Sequence, residues 1–423
     1  MRSLGGGRAG AVRIGRFLRN DRVTEAEIFA GAAARASARC AGRHVIAIQD
    51  TTSLTSPPKG GVGLRLHPTL LVDADDGAIL GIAGAEFLAP GDGRARERRQ
   101  RTADEKESAR WLRGVRQAQA AAEGAARLTV IADRESDVFG CFADCPAGCG
   151  LVVRSAQDRS IVPARDGAPG SLVGLVNALA PAGTMQVELP PTAGRKARTM
   201  TLELRFSPVE LVRPANKTKL TPQEKARAKA GTLAKTAPLF VVHAREIDPP
   251  EGMERAEWRL LTNEAVGDLA DARRIVTLYR RRWAIEQVFR TMKTKGFDIE
   301  AVRMEDDRPR RVLVAATLIA AVTIQQMLHD RDGTAGRPLD DAFDPDDAPA
   351  LEAACRRLEG DTQKQKNPHP RGSLAYAAWV CARLGGWDGY YGKPGPIVLV
   401  RGWRRFKGIK HGWTLAKHDV GID

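Results

Sequence analysis

Short apolar runs recur through the first third of the chain, and their lengths predict strands of a buried sheet. Residues 45–48 form an uninterrupted apolar run, which is typical of a strand covered on both faces. Residues 64–72 and 79–88 are also rich in apolar side chains, and the Asp- and Gly-containing segment between them predicts a hairpin. Two further runs, at 128–132 and 151–154, predict two more strands.

Helical patterns separate some of these strands. The sequence Thr-Ala-Asp-Glu at 102–105 fits a capping box, and the Ala-rich stretch after it predicts a helix that continues to about residue 126. A shorter helical turn is predicted to begin near Ser136. The order of three strands, helix, strand, helix and strand predicts a mixed α/β sheet with helices on its faces.

The composition changes between residues 156 and 265. The polar and basic segment 217–235 predicts an exposed loop or a loose helix. Around it, strands are predicted at 187–189, 200–206, 239–244 and 258–261. This block is therefore predicted to be a β-rich insertion.

From about residue 269 onward the pattern becomes helical. Residues 271–293 are predicted to form one long helix, and residues 308–328 another. The acidic, proline-containing segment 330–350 predicts a linker. Further helices are predicted at 350–358, 373–384 and 397–406.

These patterns divide the chain into three predicted regions. The first is a short helical region at 1–42, and the second is the α/β core at 43–330, with the insertion at about 156–265. The third is a helical C-terminal region at 345–423. The sequence has no run of about 18 apolar residues and no apolar leader segment, so we expect a cytoplasmic protein with no membrane span.

The charge of the chain is strongly positive. It has 66 Lys and Arg against 51 Asp and Glu, a formal net charge of +15. A surplus of this size favours a polyanionic partner. A solvated basic surface would show the same surplus, so charge alone does not decide between a nucleic-acid partner and such a surface.

The chain has 6 cysteines, which we expect to be reduced thiols in a protein without secretion signals. Cys141, Cys145 and Cys149 are spaced closely enough to raise the question of zinc. Structural zinc sites usually show two close pairs of Cys or His, and no second pair stands out, so a metal role is not favoured.

Two aspartates hold the same position relative to predicted strands. Asp50 follows the run at 45–48, and Asp133 follows the run at 128–132. Carboxylates at strand ends on a rigid sheet can converge on one point, and Mg²⁺ prefers such oxygen ligands. For either aspartate alone, the simpler interpretation is that it begins a turn.

The predicted helix 271–293 supplies a third carboxylate. At about 100° per residue, its polar stripe is roughly 60° wide and carries Tyr279, Arg282, Glu286 and Lys293. The opposite side is apolar and can dock on the sheet; it carries Leu278, Ile285, Val288 and Met292. A carboxylate flanked by cations and a phenol suits a metal ligand surrounded by phosphate contacts. The alternative is a solvated face with weak ion pairs.

Together these residues resemble a known family. Asp50 in AIQDTTSL, Asp133 in VIADRESD and the spacing Tyr279-x2-Arg282-x3-Glu286-x6-Lys293 resemble the Asp-Asp-Glu (DDE) transposases of bacterial insertion sequences. The resemblance is to the insertion-sequence-four family, which has a Tyr-Arg-Glu-Lys signature. The sequences EWRLLTNEAV and GSLAYAAWVCARLGGW support it.

The resemblance implies a ribonuclease-H-like mixed sheet flanked by helices, with a β-rich insertion before the last catalytic Glu. It also implies two Mg²⁺ (or Mn²⁺) ions per active site, held by Asp50, Asp133 and Glu286. One ion would activate water or a 3′-hydroxyl, and the other would stabilise the leaving oxygen. The implied reaction is cut-and-paste transposition of a bacterial element, in the nucleoid.

The implied partner is double-stranded DNA, both the element ends and the target. Tyr279, Arg282 and Lys293 would hold the DNA backbone. Trp258 would stack on a flipped base, unless it packs in the core of the insertion. Arg134 is a further candidate for DNA contact, with a surface ion pair as the alternative. A homodimer that pairs two DNA ends through the C-terminal helices is also implied.

Members of this family carry a longer helical N-terminal domain that recognises the element's ends. Residues 1–42 resemble only its last part, a remnant of that DNA-binding region. The alternative to an active transposase is therefore a shortened regulator that inhibits full-length copies by forming mixed dimers. A third interpretation, another ribonuclease-H-like nuclease such as a junction resolvase, fits the signature spacing less well.

Overall fold

A computed structural model of the chain describes residues 8–55, 63–88, 109–189, 197–215, 220, 222–302, 304, 306–390 and 392–420. The strands are β1 (His44–Gln49), β2 (Thr52–Leu54), β3 (Leu64–Asp73), β4 (Ile79–Leu88), β5 (Arg127–Ala132), β6 (Cys149–Arg154), β7 (Gly183–Leu189), β8 (Arg198–Val212), β9 (Thr236–Ile247) and β10 (Glu257–Thr262). The helices are α1 (Arg8–Arg19), α2 (Glu25–Cys40), α3 (Ala109–Ala121), α4 (Phe139–Ala143), α5 (Leu172–Ala178), α6 (Pro222–Lys229), α7 (Leu269–Arg280), α8 (Trp283–Lys293), α9 (Asp307–His329), α10 (Ala348–Leu358), α11 (Leu374–Leu384) and α12 (Pro396–Val420).

The described strands form one mixed sheet of ten strands. In its first half, β1 pairs antiparallel with β3 and parallel with β5. β4 lies antiparallel on β3, as the predicted hairpin requires, and β6 lies parallel to β5. The order β4-β3-β1-β5-β6 is compatible with the ribonuclease-H-like fold that the family resemblance implies. The strands predicted in this part of the chain are confirmed.

The central strand β1 is buried on both faces, as its uninterrupted apolar run predicted. Ile46 and Ile48 pack into the cluster that includes the apolar side of α7, α8 and α9. Val45 and Ala47 pack into the opposite cluster, which includes α3 and α4. Because successive side chains of a strand point to opposite faces, helices can cover both sides of the sheet and hold the end of β1 in a fixed position.

The β-rich insertion continues the same sheet. β10 pairs antiparallel with β6, and β9, β8 and β7 follow outward in that order. All four predicted insertion strands are confirmed, but the sequence pattern did not reveal that they extend the core sheet. As a result, Trp258 near the start of β10 lies close to the core strands.

The prediction of one long helix at 271–293 is wrong, because the chain forms α7 and α8 with a tightened turn between them. The backbone N–H groups of Arg281 and Arg282 donate to the carbonyls of Leu278 and Tyr279, each at 3.0 Å. These are i→i+3 bonds in place of the α-helical i→i+4 pattern. The apolar pattern cannot detect this change, since both residues keep right-handed helical dihedral angles.

The predicted helix at 102–126 appears as α3, although its expected capping box at 102–105 lies outside the described residues. The segment 330–350, which the sequence predicted as a linker, is packed against the C-terminal helices. Two of its acidic side chains are buried beside cations: Asp341 accepts from Arg337 Nε at 2.6 Å, and Asp347 pairs with Lys407 and Lys410. Paired charges thus allow an acidic segment to enter the interior.

One described helix, α9, is long and apolar enough to cross a membrane by length and composition. More than half of its most apolar stretch is buried inside the protein. Val314, Leu318 and Ala321 belong to the same core cluster as β1. Packing in this core accounts for the apolar composition of α9.

Candidate active site

Asp50 and Asp133 lie side by side at the carboxyl ends of two inner strands of the sheet. β1 and β5 are parallel and in register up to the pair Gln49 and Ala132. Asp50 and Asp133 are the next residues along the two chains, and neighbouring strands lie about 4.8 Å apart. The two aspartates therefore follow the carboxyl ends of adjacent parallel strands.

Local backbone contacts hold both carboxylates. Asp50 Oδ1 accepts a hydrogen bond from the Thr51 amide at 2.8 Å. Asp133 Oδ1 accepts one from the Glu135 amide at 2.9 Å and caps a short 3₁₀ turn. Asp133 therefore does begin a turn, and the same residue remains beside Asp50.

Arg282 connects Asp50 to Glu286. Its guanidinium donates to Asp50 Oδ2 at 3.0 Å and to Glu286 Oε1. Arg282 lies in the tightened turn before α8, and Glu286 follows one helical turn later. Both side chains therefore reach the carboxyl ends of β1 and β5. Because one guanidinium contacts both carboxylates, Asp50 and Glu286 are held close together.

The electrostatics of Asp50 indicate that the three carboxylates share one environment. Burial raises the pKa of Asp50 to about 6, while Arg282 and the Thr51 amide oppose this rise. The negative charges of Asp133 and Glu286 raise the pKa of Asp50 further. A cation at this site would favour the ionised form of all three groups.

This raised pKa leads to a prediction about stability in the presence of EDTA. The folded protein holds a proton on Asp50 up to about pH 6, whereas the ordinary value is 3.8. Stability contributed by protonated Asp50 is thus present below about pH 4 and lost as pH rises through about 6. We expect the unfolding free energy of the wild type to fall by roughly 3 kcal/mol relative to Asp50→Asn across this window. Urea unfolding of both proteins between pH 4 and 8 measures this change. A difference in unfolding free energy that does not vary with pH would contradict the prediction.

Tyr279 lies deeper than the predicted stripe suggested. It is 5% exposed, and its ring packs on Trp258 with a centroid distance of 5.8 Å. Burial raises the pKa of the Tyr279 hydroxyl, while Arg282 and Arg154 oppose the rise. The phenol is therefore a buried neighbour of the carboxylates and not part of an exposed face. The apolar side of the two helices is buried as predicted, at Leu278, Ile285, Val288 and Met292.

The two other cations predicted for DNA binding lie at the rim of the site. Lys293 donates from Nζ to the backbone carbonyl of Ser53 in β2, at 2.7 Å. Arg134 is exposed on the 3₁₀ turn that Asp133 caps. Arg134 therefore directly follows Asp133, and Lys293 contacts β2, the strand that follows Asp50.

The donor set suits a hard divalent cation. All three carboxylates offer oxygen ligands, and Mg²⁺ needs only a few of these besides water. Among the described residues, however, no group of three His, Cys, Asp or Glu side chains stands close enough to form a ready metal site. Arg282 supplies the positive charge between Asp50 and Glu286 in this arrangement.

A comparison with known protein families bears on this site. A family model described as "Transposase DDE domain" matches residues 210–323. This match supports a DDE transposase. The matched segment contains Glu286 and the helices around it, while Asp50 and Asp133 lie outside it. For those two aspartates, the case for a transposase site rests on the register of β1 and β5.

Sequence reasoning missed two features of this candidate site. One is Trp283, which follows Arg282 and is 60% exposed. The other is a buried polar cluster behind Asp50, formed by Gln49, Thr51 and His67. An exposed Trp beside the signature arginine can be read from the sequence once the apolar face of α8 is drawn. The cluster cannot, because it depends on the pairing of separate strands.

Proposed function

We propose that this chain is a DDE transposase of the insertion-sequence-four type, resembling the transposon-five transposase in particular. It would cut and rejoin DNA at the ends of an insertion sequence in a bacterial nucleoid. The observation that carries this proposal is the placement of Asp50 beside Asp133 at adjacent strand ends, with Glu286 joined to Asp50 through Arg282. The family match supports the same assignment.

In this proposal, Asp50, Asp133 and Glu286 hold two Mg²⁺ (or Mn²⁺) ions. When bound, the ions would activate the attacking water or 3′-hydroxyl and stabilise the leaving oxygen. The rigid sheet keeps two carboxylates at fixed spacing, and α8 brings the third. The Thr51 and Glu135 amides orient the two aspartates through their hydrogen bonds.

Arg282, Lys293 and Arg134 would contact the phosphates of the DNA backbone. Arginine suits this role because its planar donor group matches two phosphate oxygens at once. Arg282 is already placed beside the carboxylates, so a phosphate bound there would lie next to the metal ligands. Tyr279, packed between Trp258 and the arginines, would support this surface from below.

Two tryptophans are candidates for stacking on an unpaired base. Trp258 is partly buried and packs against the core and Tyr279, which favours a supporting role. Trp283 is 60% exposed and lies one residue from Arg282, which favours contact with a base. An exposed indole face beside phosphate-binding arginines is the arrangement that stacking requires.

The salt dependence of DNA binding tests the proposed phosphate contacts. Each lost contact should lower the slope of log K against log salt by about one unit. We expect Lys293→Ala and Arg134→Ala each to show this change on element-end duplexes, measured by fluorescence anisotropy from low to moderate salt. Lys225→Ala on α6, an exposed lysine of the insertion, is the matched control and should keep the wild-type slope. Unchanged slopes in the first two variants would assign those side chains to a solvated face.

A homodimer is the proposed assembly, since joining two DNA ends requires two active sites. Residues 411–416 of α12 are exposed, and the helix carries exposed large apolar side chains at Ile409, Trp413 and Leu415. Such side chains commonly mark a protein contact. The C-terminal helices are therefore the proposed dimer surface.

The direct test of the proposed function is a cleavage assay with the purified chain. Duplexes that carry an element end and scrambled duplexes of equal length are incubated with Mg²⁺, Mn²⁺ or EDTA. We expect cation-dependent strand cleavage that prefers the element end. Intact DNA under all conditions, together with inhibition of a full-length homologue through mixed dimers, would favour the regulator.

A further inference from the structure

A buried polar cluster lies directly behind Asp50. The His67 ring on β3 places Nδ1 at 2.9 Å from Thr51 Oγ1 and Nε2 at 3.2 Å from Gln49 Oε1. His67 is 2% exposed and Gln49 is 1% exposed. The two partners of the ring are thus the residues immediately before and after Asp50.

The imidazole of His67 is suited to bridge these two residues. The ring presents one nitrogen to each of them, Nδ1 to Thr51 and Nε2 to Gln49. A neutral imidazole has one donor and one acceptor nitrogen. Because Gln49 Oε1 can only accept, Nε2 donates to it and Nδ1 accepts from the Thr51 hydroxyl.

Helix α3 closes over the cluster. The indole of Trp111 meets the His67 ring edge-on, with a centroid distance of 4.7 Å. At Gly114, an added Cβ would stand 2.3 Å from Gln49 Oε1, so any side chain there would push the Gln49 amide out of its present position. The His67 ring therefore has little room to turn, and its two hydrogen bonds are held in place from above.

Resting on the proposed function, the geometry points to His67 as a positioning residue for Asp50: by bridging Gln49 and Thr51, it fixes the direction in which the Asp50 carboxylate faces the metal. The chain leaves β1 at Asp50 and re-forms β2 at Thr52, so Asp50 lies in a break between strands. Strand pairing does not hold the backbone at this break. The bridge through His67 supplies that constraint from the neighbouring strand.

The physical reason is the narrow geometry that Mg²⁺ accepts. This ion requires a nearly ideal octahedral arrangement at short distance. Groups that orient a metal ligand without touching the metal commonly change affinity or activity 10–100-fold when removed. Loss of the His67 bridge should therefore weaken the metal site while leaving the sheet intact.

The test measures Mn²⁺ binding to the DNA-free full chain by electron paramagnetic resonance, with thermal unfolding recorded for every variant. We expect His67→Phe, which keeps the ring and removes both hydrogen bonds, to weaken Mn²⁺ binding about tenfold or more. Thr51→Val, which removes one hydroxyl at constant volume, should also weaken binding, and Thr51→Ser should restore it. The matched control is His243→Phe, since His243 is equally buried on β9 and hydrogen-bonds only Glu257 among the described residues. It should bind Mn²⁺ as the wild type does.

A double variant separates positioning from general damage to the fold. If His67 acts through Asp50, adding His67→Phe to Asp50→Ala should not weaken the remaining Mn²⁺ binding further. Wild-type binding in both Thr51→Val and His67→Phe would overturn the inference, and Thr51→Val alone decides if His67→Phe does not fold. The inference would also be overturned if His67→Phe weakened Mn²⁺ binding by the same factor in the Asp50→Ala background as in the wild type. If Mn²⁺ binding to the wild-type chain does not depend on Asp50, both this inference and the proposed function are overturned. If it does depend on Asp50 but is unchanged in the His67 and Thr51 variants, only the inference is overturned.

Discussion

Replacing Asp50, Asp133 or Glu286 with alanine is expected to abolish metal-dependent DNA cleavage while leaving the protein folded. Each variant removes a ligand from the proposed two-metal site. Metal ions contribute several kcal/mol to such reactions, which corresponds to a loss of roughly a thousandfold or more in rate. The measurement is single-turnover cleavage of an element-end duplex in Mg²⁺, with circular dichroism as the check on folding.

Glu123→Ala is the matched control for this series. Glu123 is exposed and lies just after α3, near the start of β5 and therefore at the opposite end of that strand from Asp133. Its removal changes the net charge of the chain by the same amount as the triad variants, and it should leave cleavage unchanged. Near-normal cleavage by any one triad variant would remove that residue from the proposed site.

Replacing Asp137 with alanine is expected to cause a large loss of stability. Asp137 Oδ1 accepts from Arg159 Nε at 2.8 Å, and Oδ2 accepts from the Ala156 amide at 2.8 Å and from the Ser155 hydroxyl at 3.2 Å. The side chain of Asp137 is 0% exposed, and that of Arg159 is 6% exposed. Removal of the carboxylate leaves a buried guanidinium without its charged partner, which typically costs about 3–5 kcal/mol.

Urea unfolding measures this loss, with Asp166→Ala as the control. Asp166 is exposed in the insertion, so its removal should change the unfolding free energy by less than about 0.5 kcal/mol. An unfolding free energy for Asp137→Ala within about 1 kcal/mol of the wild type would show that the ion pair adds little. Because Asp137 follows the turn that Asp133 caps, we also expect the variant to lower cleavage activity.

The register of β1 and β5 shows how much of the site can be reached from sequence alone. The apolar runs before Asp50 and Asp133 are long enough to predict strands, and an aspartate after each run is visible without a structure. That the two strands are parallel neighbours is not visible, because pairing depends on how the whole sheet assembles. The sheet order is therefore what turns two separate aspartates into a pair.

The helix of the signature shows a different limit. The angular stripe correctly separated the apolar side of α8 from the side that carries Arg282 and Glu286. It placed Tyr279 on an exposed face, whereas the side chain is buried against Trp258. The tightened turn at Arg281–Arg282 and the insertion sheet together produce this burial, and neither leaves a trace in the apolar pattern.

For this protein, the sequence by itself determined the local features: the strand runs, the apolar helix faces, the basic charge and the spacing of Tyr279, Arg282, Glu286 and Lys293. These depend on residues that are near one another in the chain. Only the tertiary structure decided the contacts between distant segments. Arg282 meets Asp50 across more than 200 residues of chain, and His67 bridges Gln49 and Thr51 from another strand. Such contacts follow from the packing of helices on both faces of a single sheet, so local periodicity cannot encode them.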